Sequence, residues 1–370
     1  MGKRELMIAV AFVVAGVCAY HFAAPPAKTS DGGFSFSKII DNAKQQMKGD
    51  ESFTAPPRKL TYPVGADVTE LQIEGVNGAI KITGEDRSDV SLVLVVTSTG
   101  ATEAEAVAVA AKTAVIEDRL ANLLRLQVKF PPEKSQTATA VLLVPARMAL
   151  HLDAPRDPVV ANVKSLAFIN PARGSAEINR VALVRGDQTG GSLAMSAVKD
   201  AKMVLTRVRA RISDIDLGLF DVRDGDTEVS GSRGALEIEE RRGDVRIRDH
   251  KGTIKVSGSD GQVRIEGGAT DVHLDLRRAE VDADLAAGAT GSIVTSDETL
   301  RVAIAEPGNV RMDAAATGAA VDGAAWSLTP AKTGSDSRVD AQLGAKSANA
   351  PRLSLRNTNA DIIIRKSSKK

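Results

Sequence analysis

Residues 225–274 read GDTEVSGSRGALEIEERRGDVRIRDHKGTIKVSGSDGQVRIEGGATDVHL, and their repeat predicts the architecture of the chain. A glycine returns in it every nine residues, at Gly225, Gly234, Gly243, Gly252 and Gly261. Between the glycines, apolar and polar residues alternate with the period of two that is typical of β-strands. A short fixed repeat of glycine turns and strands predicts a β-solenoid, in which the chain coils so that equivalent residues stack.

Two nine-residue units make one flattened coil, which predicts that residues 18 apart stack directly. The inward positions of one face are then almost all apolar: Thr227, Val245, Val263 and Val281 beside Val229, Ile247, Ile265 and Ala283. The opposite face stacks Leu236, Ile254 and Val272 beside Ile238, Val256 and Leu274. Burying one such side chain fully contributes roughly 1.5 to 3 kcal/mol, so we expect these inner columns to decide stability.

The outward positions are polar and supply the candidate surface-binding residues. They form two columns, Glu237, Lys255 and His273 in one, and Arg246, Arg264 and Asp282, with Glu228, in the other. Opposite charges on adjacent rungs favour the register by about 0.2 to 1 kcal/mol for an exposed pair. We predict no catalytic residue, no cofactor site and no metal site in this surface.

The composition agrees with an extended β protein that binds no nucleic acid. Of 370 residues only 3% are aromatic, and the apolar supply is mostly Val, Ile, Leu and Ala, which suits a narrow core. The 48 basic and 47 acidic residues leave a formal charge of +1, whereas phosphate backbones require concentrated positive charge. Because Cys18 is the single cysteine, one chain can form neither a disulfide nor a cysteine metal cluster.

An apolar run near the N-terminus predicts export. Lys3 and Arg4 precede residues 6–24, which come close to the roughly 20 apolar residues that a membrane-spanning helix needs. Residues 1–24 are expected to be a signal anchor, with the membrane as partner through residues 6–24, or a cleaved signal peptide, and both alternatives stay open. Either one places the β domain in the cell envelope on the non-cytoplasmic side, anchored by a single pass or secreted. Residues 25–59 are predicted to be a flexible linker.

Residues 60–155 are predicted to form a strand-helix-strand part of the same solenoid domain. The Asn77-Gly78 dipeptide favours a tight hairpin turn between two alternating strands. Residues 102–105, Thr-Glu-Ala-Glu, form a capping box that begins a helix over about residues 102–124. We expect this helix to cover one open end of the solenoid.

Residues 156–365 are predicted to be the repeat β-solenoid. Its glycine spacing loosens outside the regular block, and residues 313–350, rich in Ala, Gly, Ser and Asp, are interpreted as an irregular excursion. Residues 362–364 are expected to pack onto the last rung, leaving residues 366–370 as a basic tail. The Asp224-Gly225 and Asp260-Gly261 pairs are expected to be turns, since both residue types tolerate the left-handed conformation.

The order of elements resembles a known family. An alternating strand around Asn77, a strand over residues 90–96, a helix, and a strand over residues 139–144 that runs into Pro145 precede short Gly-x-apolar-x-apolar units. This order is similar to that of the bacterial putative-adhesin family of β-strand repeat proteins, a domain of unknown function. The resemblance implies a single-domain β-solenoid, often attached to a membrane by an N-terminal segment, and it transfers no catalytic or ligand-binding residues.

These observations favour a non-enzymatic, envelope-associated protein that acts as a scaffold, an adhesin-like surface or a binding surface for an envelope protein or surface polymer. The alternative is a sensor or regulator of envelope stress that acts through a membrane partner. A polysaccharide-active enzyme would use paired acids, Asp282 with Asp284 or Asp214 with Asp216, but the sequence builds no aromatic sugar platform beside them. Asp271, His273 and Asp275 could hold a metal, although a solvated strand shows the same alternation.

Overall fold

The computed structural model describes residues 51–132, 134–345 and 347–367, which form an almost entirely β structure with one α-helix. These residues belong to one compact unit, Asn42–Lys370. Across this described part, none of the helices is long and apolar enough to cross a membrane. The predicted anchor or signal, residues 6–24, lies outside the described residues and stays a prediction, as does most of the predicted linker.

The N-terminal part holds the helix and nine strands, two of which begin inside the predicted linker. They are β1 (Ser52–Thr54), β2 (Arg58–Pro63), β3 (Glu70–Glu74), β4 (Ala79–Glu85), β5 (Asp89–Thr99), α1 (Glu103–Ala111), β6 (Ala114–Leu120), β7 (Leu123–Lys129), β8 (Gln136–Pro145) and β9 (Ala149–Leu152).

Twelve strands follow as the coiled part: β10 (Arg156–Ala161), β11 (Ser165–Phe168), β12 (Ala172–Asn179), β13 (Leu183–Thr206), β14 (Arg209–Arg223), β15 (Asp226–Ser230), β16 (Arg233–Arg241), β17 (Asp244–Arg248), β18 (Lys251–Ser259), β19 (Gln262–Arg277), β20 (Glu280–Ser296) and β21 (Leu300–Ile304). The C-terminal strands are β22 (Asn309–Thr317), β23 (Val321–Asp322), β24 (Ala331–Thr333), β25 (Asp336–Gly344), β26 (Arg352–Thr358) and β27 (Ile362–Lys366), with a short 3-10 helix at Ala324–Trp326.

The strands of the coiled part stack in two parallel ladders that share one core. The first ladder runs through β10, β12, β13, β14, β15, β17, β19, β20, β21 and β27. The second ladder runs through β9, β11 and β13, and again from β13 through β14, β16, β18, β19, β20 and β26. The long strands β13, β14, β19 and β20 bend and contribute to both ladders, so the chain passes from one ladder to the other in every coil.

The predicted 18-residue stacking is confirmed in the regular block. In the first ladder Thr227 pairs with Val245, and Val245 pairs with Val263. In the second ladder Leu236 pairs with Ile254. The apolar members of the inner columns are at most 2% exposed, and Thr227 is buried with a hydroxyl that has no hydrogen-bond partner among the described residues. The alternation of apolar and polar residues therefore predicted correctly which side chains of this block point inward and which point outward.

The nine-residue glycine period has a steric cause. A Cβ atom added to Gly252 would lie under 3.0 Å from the carbonyl oxygen of Gly234, one coil earlier, and Gly261 meets Gly243 in the same way. In the Asp260-Gly261 turn it is the aspartate that takes the left-handed conformation, with φ of 66°, whereas Gly261 does not. Gly261 is needed because its backbone approaches the backbone of the preceding coil closely. It does not adopt the positive φ that glycine tolerates.

The predicted helix over residues 102–124 is wrong in its length. Helix α1 ends at Ala111, and β6 and β7 follow as an antiparallel hairpin. The cap itself is confirmed, since the Thr102 hydroxyl accepts a hydrogen bond from the Glu105 N–H at 3.2 Å. The apolar spacing that suggested a longer helix belongs to an edge strand, β6, on which Ile116 and Leu120 are exposed. Helix α1 packs its buried face against β1 and β5.

The Asn77-Gly78 turn does not close a hairpin. Strand β3 pairs with β7 and β9, whereas β4 pairs with β8 and β10, so this turn carries the chain between different strand stacks. Asn77 holds the turn by accepting a hydrogen bond from the Ala138 N–H at 2.9 Å and donating one to the Gln136 carbonyl at 2.8 Å. Antiparallel pairing occurs instead among β1, β2, β5 and β8.

The C-terminal region is more regular than the sequence predicted. Residues 313–350 include most of an antiparallel β22–β25 pair that also lies beside β26. Trp326 closes this end by donating a hydrogen bond from Nε1 to the Arg365 carbonyl at 3.0 Å, and the Lys366 ammonium lies 5.2 Å from the centre of its ring. The expected packing of residues 362–364 is confirmed, because β27 pairs with β21.

Candidate functional site

The two predicted surface columns lie on different ladders and have different surroundings. On the first ladder, Arg246 contacts Glu266 at 2.5 Å, and Arg248 contacts Glu228 and, at 3.2 Å, Glu266. The predicted residues Arg264 and Asp282 are half-buried next to this network and pair in register. Ion pairs therefore cover the part of this outer face around Arg246 and Arg248.

The second ladder carries the other column in the open. Glu237, Lys255 and His273 occupy successive register positions, and all three side chains are exposed. No ion pair joins Glu237 or Lys255 to another described residue, and His273 lies 3.2 Å from Asp271. Glu237 and Lys255 are therefore available to another molecule, whereas Arg246 and Arg248 of the first ladder are already engaged in ion pairs.

Large apolar side chains extend this exposed surface, and the sequence analysis missed them. Leu217 is 49% exposed, Leu219 is 40% exposed and Val294 is 41% exposed. Leu219 pairs in register with Glu237, so it belongs to the same column. We define the open face as Leu217, Leu219, Glu237, Lys255, His273 and Val294. Stepping back 18 residues from Glu237 would have found Leu219, which occupies an outward position with an apolar side chain. Exposed apolar residues grouped among polar ones mark interaction surfaces.

Asp271 is held beside the open face by three neighbours. Its carboxylate accepts hydrogen bonds from the hydroxyls of Thr253 at 2.8 Å and Thr290 at 2.9 Å. Partial burial acts to raise the pKa of Asp271, but these hydrogen bonds and the adjacent His273 outweigh it and lower the pKa. In the described ranges, no group of three His, Cys, Asp or Glu residues is arranged to hold a metal ion.

The acid pairs considered for a glycosidase lie in different settings. Asp214 has a φ of 51° at a bend within β14, while Asp216 lies two residues further along the same strand. Asp282 and Asp284 are outward neighbours on the first ladder, and both are half-buried. Neither pair lines the two grooves described below.

One edge of the coil, where the second ladder passes into the first, carries a ladder of left-handed turn residues. This turn ladder consists of Arg207, Asp224, Arg242, Asp260, Arg278, Asp297 and Asn359, all with φ between 48° and 68°. Arg278 contacts Asp260 at 2.6 Å, and Arg242 contacts Asp224 at 2.8 Å. The hydrogen bonds from Arg278 and then Ser259 lower the pKa of Asp260 to about 2. Arginines and aspartates therefore alternate along this edge, so that their charges cancel and their ion pairs favour the observed register of the coils.

The opposite edge, where the first ladder passes into the second, holds an open groove of about 350 Å³ that is basic. Its charged lining residues are Lys164, Arg180 and Lys199. A second open groove of about 440 Å³ near the C-terminal end is mixed in charge, because Arg311 and Asp340 on its wall lie 3.6 Å apart.

Glu240 is a buried acid that the sequence analysis did not single out. Its side chain is fully buried, Oε1 accepts a hydrogen bond from the Gly243 N–H at 2.5 Å, and Oε2 has no hydrogen-bond partner among the described residues. Burial raises the pKa of Glu240 to about 7, and the nearby Asp244 and Asp260 act in the same direction against the Gly243 hydrogen bond. The sequence spacing could have predicted that Glu240 is buried, because it follows Val222 by 18 residues and occupies the same inward column one coil later.

Comparisons with known proteins assign no family. No family model matches the chain, and no curated protein matches it. Among solved structures, the crystal structure of a putative cell adhesion protein from Clostridium sporogenes aligns with 84% of this chain and 100% of its own, at 11% identity and a TM-score of 0.19. These values do not show a shared fold, so no property of that protein is transferred, and membership of the adhesin-like family stays a prediction.

Proposed function

We propose that this chain is a non-enzymatic, envelope-associated protein whose open face binds another envelope component. The contrast between the two outer faces carries the proposal. Arg246 and Arg248 on the first ladder pair with neighbouring glutamates, while the second ladder leaves Glu237, Lys255 and His273 exposed beside Leu217 and Leu219. Exposed apolar side chains next to charged groups that form no ion pair, as at Leu219, Glu237 and Lys255, are typical of surfaces that bind another protein.

The ladders support this role because they hold the open face rigid. Backbone hydrogen bonds run from coil to coil on both sides of each strand, and apolar inner columns fix the inward side chains. A partner would therefore meet side chains at spacings of about 4.8 Å along the stack, with little ordering cost on this protein's side. The predicted anchor over residues 6–24 would hold such a scaffold at the membrane, outside the cytoplasm.

The test places a photo-crosslinking amino acid at position 255, on the open face, in the full chain in native membranes. A matched variant carries the same amino acid at position 264, on the first ladder. We expect a discrete crosslinked partner from position 255 and much less from position 264. We also expect Leu219→Asp to abolish the crosslink at 255, since Leu219 is exposed and the change should leave the fold intact.

Equal crosslinking from positions 255 and 264, or a crosslink at 255 that is insensitive to Leu219→Asp, would contradict the proposal. The identity of the captured molecule separates the alternatives. A membrane protein with a signalling domain favours the regulatory role, and a structural protein or surface polymer favours the scaffold or adhesin-like role.

A further inference from the structure

The basic groove on the edge between the ladders is built from stacked turns. It lies among the turns at residues 162–164 and 180–182 and the bend of β13 at residues 197–199, and Ala146 closes one side. The strands before these turns pair in sequence, Ala161 with Asn179 and Asn179 with Ser196, so the three turns belong to successive coils.

This stacking places the three cationic side chains close enough to contact one small ligand. Lys164 belongs to the first of these coils, Arg180 to the second and Lys199 to the third. Because neighbouring strands lie about 4.8 Å apart, the two lysine backbones are about 10 Å apart. Ala182 lies between them in the stack, and Arg180 lies two residues before Ala182 on the same coil. Flexible lysine side chains of this spacing can converge on one small group that the guanidinium also reaches.

The groove is unusual for this protein because its charges are not balanced. No carboxylate lines it, and neither Lys164 nor Lys199 forms an ion pair with a described residue. The Arg180 Nε donates to the Asn162 side-chain oxygen at 2.6 Å, which fixes one side of the guanidinium and leaves its terminal nitrogens for another acceptor. On the opposite edge, by contrast, each arginine of the turn ladder has an aspartate neighbour.

We propose that this groove binds a tetrahedral oxyanion, a phosphate or sulfate group. A planar guanidinium presents paired donors that match such an anion, and two ammonium groups add charge-assisted hydrogen bonds. Asp200, which follows Lys199 in the sequence, is not part of the lining and pairs with Arg185 at 2.7 Å. Asp214 and Asp216 follow on the next coil and do not line the groove. This site lies on a different part of the coil from the open face, and it does not depend on the function proposed above.

The test measures binding of inorganic phosphate and of sulfate to the full chain in a neutral detergent by isothermal titration calorimetry. The variant Lys164→Gln/Arg180→Gln/Lys199→Gln removes the three cations. The control Arg233→Gln/Lys251→Gln/Lys332→Gln removes the same number of charges from exposed positions outside the groove and the open face. We expect saturable binding that weakens by about tenfold or more in the groove variant and by less than about twofold in the control, as loss of charge-assisted hydrogen bonds predicts.

Competition with glycerol phosphate identifies the source of the group. Displacement of inorganic phosphate by glycerol phosphate indicates a site that accepts a phosphate borne by a lipid headgroup, and failure to displace it indicates a site for the free anion. Absence of saturable binding, or equal weakening in both triple variants, would overturn the proposal. Circular dichroism of both variants checks that the β structure is retained, and the single change Lys199→Gln, on an exposed side chain, repeats the measurement if the triple variant unfolds.

Discussion

Replacing Glu240 with glutamine is expected to remove a pH-dependent loss of stability. Glu240 is fully buried, with one oxygen bonded to the Gly243 N–H and the other without a hydrogen-bond partner among the described residues. Taking a carboxylate out of water disfavours its charged form, so the folded protein favours the protonated acid. Glutamine keeps the size and the acceptor oxygen of this side chain and cannot ionise.

The sign and the size of the effect follow from the two pKa values. An unfolded glutamate has a pKa near 4.5, whereas the folded-state pKa of Glu240 is about 7. Between these pH values the folded chain retains a proton that the unfolded chain has released. Stability therefore falls as pH rises through this window and is constant above it. At about 1.4 kcal/mol per pKa unit, the complete loss is about 3 kcal/mol, most of it between pH 5 and pH 8.

Urea unfolding followed by circular dichroism at pH 5 and pH 8 would measure this. The free energy of unfolding of Glu240→Gln, relative to that of the natural protein, should rise by about 2.5 kcal/mol between the two pH values. The control Glu237→Gln removes an exposed carboxyl from the same strand and should shift this difference by less than about 0.5 kcal/mol. If the natural protein and Glu240→Gln change in parallel with pH, Glu240 ionises in the fold as readily as in water, and the reasoning fails.

Two further changes test the turns of the coil. Gly252→Ala should destabilise the protein by more than about 2 kcal/mol in urea unfolding, because the new Cβ would collide with the Gly234 carbonyl, whereas Gly288→Ala, with nothing nearer than 3.7 Å, should be close to neutral. Arg278→Gln should raise the pKa of Asp260 from about 2 toward its ordinary range in a carboxyl NMR titration; an unchanged titration would show that the ion pair does not form in solution.

The sequence predicted the coil well where one physical constraint acts on every rung. Inward positions must be apolar and outward positions can be charged, so an alternation repeated at a fixed spacing specified the register from Thr227 to Leu274. The same reasoning located both surface columns. It could not predict which members of a column would form ion pairs, since that depends on side-chain conformations across three neighbouring strands.

The N-terminal part was harder to predict because local pattern and long-range pairing disagree there. Residues 114–120 have apolar spacing that also fits a helix, but pairing with β7 makes them a strand. Asn77-Gly78 has the chemistry of a hairpin turn, yet its flanking strands find partners far along the chain. The basic groove was not predicted because its three cations become neighbours only when turns of unequal sequence spacing stack.

The turn ladder limits how this protein can change in length. Adding or deleting one whole coil would preserve the strand pairs and the glycine contacts, since both recur with each coil. It would also place an arginine next to an arginine or an aspartate next to an aspartate, because the ladder changes sign at each coil from Arg207 to Asp297. Like charges at that spacing repel. Relatives of different length are therefore expected to gain or lose two coils at a time. One coil is enough to repeat the strand pairs, but two coils are needed to repeat the pattern of charges.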